Sequence, residues 1–175
     1  AVAGGAVYFG LFDGPNSGRF VAARETDGGF LWSYVCAGAN SSIWSSPVYD
    51  DGTVYFGAYS GTDESGNKFY ALDANDDGAF KWSFNTDGWV WGSPAVENGV
   101  VYFGTTGPNV YALDSQTGSV LWSRPIGGDI RTAPAIGAEG SRTQSVQVTI
   151  EDLSIIGADQ AAAETVDQFV DINIE

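Results

Sequence analysis

The tetrapeptide Val-Tyr-Phe-Gly occurs three times in this chain, at Val7, Val54 and Val101, and the same features follow each copy in the same order. A variable loop leads into a strand-like run, RFVAAR, KFYALD or NVYALD. A glycine-bearing turn comes next, and a tryptophan stands four residues past its glycine: Trp32 after Gly28, Trp82 after Gly78, Trp122 after Gly118. Alternation along the first strand sets Tyr8, Tyr55 and Tyr102 on one face and Val and Phe on the other. A unit of about 40 to 50 residues holding four short strands cannot bury both faces of its own sheet and must stack on its neighbours. The expected fold is therefore all-β, with three propeller blades.

After each tryptophan a polar connection leads to a proline, Pro47, Pro94 or Pro134, which suits the entrance of a strand whose N–H the ladder does not need. That strand is read as the innermost one of the next blade. On this phase the chain starts at a second strand, the first blade lacks its inner strand, and Asp129 to Ile136 is left over to complete it. The tryptophans are expected to fill the space between adjacent blades. Gly10, Gly57 and Gly104 are read as strand ends.

The three-blade region spans 1–140, and 141–175 is a separate tail. Within the tail, Val146, Val148 and Ile150 alternate as a strand, and Ala162, Val166, Phe169 and Val170 take helical spacing behind an Asp159 cap. The expected C-terminal tail is thus a strand plus a short acidic helix.

Twenty-two acids against seven bases give a net charge of −15, and no Lys/Arg cluster exists to displace counterions from a phosphate backbone, which argues against nucleic acid. No run approaches the roughly 18 apolar residues needed to cross a membrane. The sole cysteine, Cys36, is read as a small buried residue, and with no histidine in the chain it has no imidazole partner. The opening Ala-Val-Ala-Gly-Gly in place of Met suggests cleavage from a precursor and an extracytoplasmic setting: secreted, periplasmic or at the cell surface.

Two groups of residues carry chemistry. Asp73, Asn75 and Asp77 fit the first half of a calcium loop, Asp-x-Asn-x-Asp-Gly. Phe84 stands where such a loop needs its bidentate Glu, so an acidic turn is the favoured reading and Ca²⁺ the alternative. The loop from Asp63 to Asn67 is read as a solvated hairpin tip. Trp44, Trp91 and Arg131, each three residues before a proline, would offer aromatic faces and one cation at the channel mouth to a planar ligand or a peptide edge, unless they seal the centre of the ring.

The run Ala112-Leu113-Asp114-Ser115-Gln116-Thr117-Gly118-Ser119-Val120-Leu121-Trp122 resembles the AxDxxTGxxxW motif of PQQ-like repeats. These repeats build the propellers of quinoprotein alcohol dehydrogenases and of related non-enzymatic proteins such as the outer-membrane assembly lipoprotein. The second copy departs by one inserted residue, with Asp76 and Asp77 where one Thr is expected. The first has Arg24 at the Asp position and Asp27 at the Thr position. The resemblance covers roughly residues 6–140 and implies the blade fold. The dehydrogenases it resembles use eight blades, a bound Ca²⁺ and a catalytic Asp that maps onto no position here, so Asp73 and Asp114 carry over as turn residues. The expected protein is a non-enzymatic interaction or self-assembly module without a cofactor. Its partner is another protein or itself, as a homo-oligomer built by ring completion or by donation of the tail strand. The alternatives are a fragment of a quinone- and calcium-dependent dehydrogenase, or a small-ligand binder using Trp44, Trp91 and Arg131.

Overall fold

Each Val-Tyr-Phe-Gly copy lies on the strand that follows the inner hairpin turn of an antiparallel sheet, four-stranded in the first and third blades and five-stranded in the second. A computed structural model of the chain describes residues 1–12, 18–36, 41–60, 67–137 and 146–147. The first blade is β1 (Val2–Ala3), β2 (Ala6–Phe12), β3 (Gly18–Arg24) and β4 (Phe30–Val35), paired in that order. The second contains β5 (Ser41–Ser42), β6 (Val48–Asp50), β7 (Thr53–Ser60), β8 (Lys68–Asp73) and β9 (Ala79–Asn85), with β5 and β6 pairing successive parts of β7. The third is β10 (Ala95–Glu97), β11 (Val100–Gly104), β12 (Asn109–Asp114) and β13 (Val120–Pro125). After it, β14 (Ala135–Ile136) pairs with β15 (Val146–Gln147). No helix occurs among the described residues. The expected helix near 159–170 and the loop at 63–66 lie outside them.

The phase differs from the sequence expectation. The first blade has its own inner strand, β1, so the strand after Asp129 is not needed there and forms a hairpin with the start of the tail instead. This pairing crosses residue 140. The inner hairpins share one device: Gly4-Gly5, Asp51-Gly52 and Asn98-Gly99 all have positive φ, which gives the two-residue turn whose twist matches the strands it joins.

Two apolar clusters lie between the blades. The Tyr8, Phe20, Ala22 and Trp32 face of the first blade packs on Val54, Phe56, Tyr70 and Leu72 of the second. The opposite face of the second, Tyr55, Phe69, Ala71 and Trp82, packs on Val101, Phe103, Tyr111 and Leu113 of the third. Phe20 and Phe56 stack at 4.0 Å across the first interface, and Phe69 and Phe103 at 4.1 Å across the second. Trp32 and Trp82 do fill the space between blades, whereas Trp122 is only half-buried on the third. Trp32 lies over Gly78 and Trp82 over Gly118, where an added Cβ would stand 2.5 and 2.6 Å from the indole. Trp82 Nε1 and the Tyr55 hydroxyl both donate to the Ser115 carbonyl, at 3.0 and 3.1 Å.

The glycine of Val-Tyr-Phe-Gly does more than end a strand, since Gly10 and Gly57 lie within β2 and β7. A Cβ on Gly10, Gly57 or Gly104 would come within 2.4, 2.3 and 2.3 Å of Ile43, Val90 and Ile130. Each of these residues belongs to the connection leaving the same blade, so the glycine is the notch into which that connection locks.

Candidate functional site

Antiparallel alternation sends the β2–β3, β7–β8 and β11–β12 loops and the three interblade connections to one end of the sheets. The inner hairpin turns and the turns before the outer strands go to the other. The two residue groups singled out from sequence therefore lie at opposite ends.

With Ile43, Val90 and Ile130 seated in their glycine notches, the next residue in each connection, Trp44, Trp91 or Arg131, turns away from the notch. The three come together. The rings of Trp44 and Trp91 stack with centroids 6.1 Å apart and planes 23° apart, and Arg131 Cζ lies 4.7 Å from the Trp91 ring centroid. Gly92 permits this approach, because a Cβ there would meet the Thr132 carbonyl oxygen at 2.1 Å. Arg131 Nη2 also donates to Asp129 Oδ2 at 3.0 Å.

Two further aromatics extend the array. Trp89 stacks on Trp91 at 5.7 Å and 18°, and Tyr59 meets Trp89 edge-on at 4.5 Å. The signal for Trp89 was present in Trp89-Val90-Trp91, where alternation about a buried Val90 puts both indoles on the same side. Tyr59 carried no such signal, since its place depends on how far β7 runs past Gly57. Trp44 is 64% exposed although it stacks on Trp91.

The backbone beneath the array is held firmly. Thr106 donates its N–H to the Trp89 carbonyl and accepts the Trp89 N–H on Oγ1, both at 2.9 Å. Asp87 accepts from the Thr105 hydroxyl at 2.7 Å and from the Asn109 amide. Burial, with Asp87 beside it, pushes the Tyr111 phenol up to about 12. Ser45, next to Trp44, bridges to the second blade: its Oγ accepts the Gly57 N–H at 2.8 Å.

At the opposite end, Asp73, Asn75 and Asp77 belong to the turn between β8 and β9. Asp73 Oδ1 accepts the Asn75 N–H at 2.9 Å and its Oδ2 lies 3.7 Å from Lys81 Nζ. Asn75 reaches across to Gly52, and Asp77 takes a positive φ beside Gly78. Among the described residues no group of three or more His, Cys, Asp or Glu side chains comes together to hold a metal ion. In the third blade Asp114 Oδ1 accepts the N–H groups of Gln116 and Thr117 and the Thr117 hydroxyl, which hold its carboxyl below the usual range. The first blade swaps the positions: Asp27 caps Gly29 and pairs with Arg24 at 2.8 Å. Cys36 is buried, which pushes its thiol up to about 12 and makes it a packing residue.

Residues 1–149 match the family described as outer membrane protein assembly factor BamB. No curated protein matches the chain. Among solved structures, BamB from Moraxella catarrhalis is 23% identical with a TM-score of 0.62, over 82% of this chain and 40% of that one. Quinohemoprotein alcohol dehydrogenase from Comamonas testosteroni is 18% identical with a TM-score of 0.68, over 85% of this chain and 31% of that one. The computationally designed Ika8 protein is 17% identical with a TM-score of 0.61, over 85% and 41%. At these identities the likeness is one of fold, and the chain spans well under half the length of each structure. Among the described residues no helix is long and apolar enough to cross a membrane.

Proposed function

The chain belongs to the family of the outer membrane protein assembly factor BamB, and on that basis we propose that it is a non-enzymatic propeller module that binds another polypeptide through the aromatic end of its blades. The observation that carries this reading is Trp44, a large indole 64% exposed on a connection tied to the second blade by the Gly57 N–H to Ser45 Oγ hydrogen bond and seated against Gly10 of the first through Ile43. Exposed aromatics on a rigid support are the side chains that dominate protein interfaces, because they bring area at low entropic cost. Asp114 Oδ1 accepts three hydrogen bonds within its own turn and Asp73 Oδ2 lies 3.7 Å from Lys81 Nζ, which supports reading both as turn residues. The family's description supports an extracytoplasmic setting.

The test compares the full chain with a Trp44→Ala/Trp89→Ala variant, each immobilised and offered cell-envelope proteins, with light scattering on both. A defined polypeptide retained by the parent and lost from the variant is the expected result, and an oligomer dispersed by the same changes would identify the partner as a second copy. Equal retention by both forms would overturn the reading. So would a rise in melting temperature with pyrroloquinoline quinone and Ca²⁺, which would favour the dehydrogenase alternative.

A further inference from the structure

The chemistry of that partner follows from the charges around the array, on the premise that this end of the blades is the binding face. The three connections, residues 41–47, 86–94 and 126–134, carry Asp87, Asp129 and Arg131 and no other charged residue. Arg131 is paired with Asp129 at 3.0 Å, which leaves Asp87 as the excess charge of the connections themselves, while Arg19, Lys68 and Arg124 stand on the blade strands toward the same end. The charge nearest the tryptophans in sequence is thus negative, which favours a cationic group over an anionic one at the array.

The array already shows how it takes a cation. Arg131 places its guanidinium 4.7 Å from the centre of the Trp91 ring, within the range at which the indole quadrupole attracts charge. Trp44 lies nearly parallel to Trp91, is far more exposed, and has no cation on it among the described residues. We propose that Trp44 is the receiving surface for an arginine side chain of the partner, which repeats on its exposed indole the stacking that Arg131 makes on Trp91. Arginine is favoured over lysine because a planar, weakly hydrated guanidinium stacks on an indole with less desolvation than an ammonium.

The test uses the full chain and a blocked peptide of three arginines spaced by glycine, with binding read from quenching of tryptophan fluorescence at 0.15 M salt. A citrulline peptide, of the same shape without the charge, and peptides with lysine or glutamate in place of arginine serve as controls. The arginine peptide is expected to bind at least about tenfold more tightly than the citrulline peptide. It should lose about tenfold in affinity on Trp44→Ala and keep most of it on Trp44→Phe, with unchanged far-ultraviolet dichroism. Equal binding by Trp44→Ala would mean general attraction to an acidic chain and overturn the proposal. Tighter binding of the glutamate peptide, or of a cello-oligosaccharide, at Trp44 would overturn it too. If no arginine peptide binds while a polypeptide is still retained in a Trp44- and Trp89-dependent way, this inference fails and the interaction reading stands.

Discussion

Gly57 shows most directly how one residue decides a blade. Its missing side chain leaves the notch for Val90, and an alanine methyl would sit 2.3 Å from Val90 Cβ. Two backbones and a buried side chain would have to move apart, so Gly57→Ala should cost about 1 to 3 kcal/mol. Gly128→Ala, where a Cβ would meet nothing within 4 Å, should stay within about 0.5 kcal/mol of the parent. Denaturant midpoints of the two variants check this. A similar effect at both positions would mean that glycine matters here only for backbone freedom. The sequence showed the glycine three times over but not its purpose, because the clash partner lies more than thirty residues away in the second copy and is Ile, Val or Ile in the three.

Among the elements, the turn before β13 is the most fully specified. Asp114 ties three donors of Gln116 and Thr117 into that turn, and these bonds favour its ionised form. A carboxyl held below its ordinary value of 3.8 contributes stability that is fully present above that pH and lost as pH falls through the depressed folded value. The melting temperature of Asp114→Ala should therefore lie below that of the parent at pH 7, and the gap should narrow only below pH 3.8. A gap independent of pH would assign the effect to packing. Asp-x-x-Thr-Gly could be read directly as a turn because donor and acceptor are neighbours in sequence. The phase of the blades could not: β1 is only two residues long, Val2–Ala3, with no proline before it to mark a strand entrance. Its pairing rests on the Gly4-Gly5 turn, which reads equally well as a loose terminus.

At the scale of the molecule, stability comes from blade against blade. Trp82 is 7% exposed between the second and third blades, whereas Trp122, at the same register in the third, is only half-buried. Trp82→Ala should cost about 3 to 5 kcal/mol and Trp122→Ala clearly less, as measured by chemical denaturation. Equal losses would mean that Trp122 is as well covered as its counterpart. That Trp44, Trp91 and Arg131 belong together was legible from their shared offset before proline. The partnership with Trp89 and Tyr59 was not, since it depends on how one connection folds back over a neighbouring strand.

The seating of each tryptophan on the following blade's turn glycine has one more consequence. The stack has a polarity, like a row of bricks with a peg on one side and a socket on the other: Trp32 enters at Gly78 and Trp82 at Gly118, and the two halves of the joint are never on the same side of a blade. Blades with this joint can be added in single file in one direction only. A reversed or inverted copy would set peg against peg, so lengthening by tandem duplication preserves the joint and lengthening by inversion destroys it.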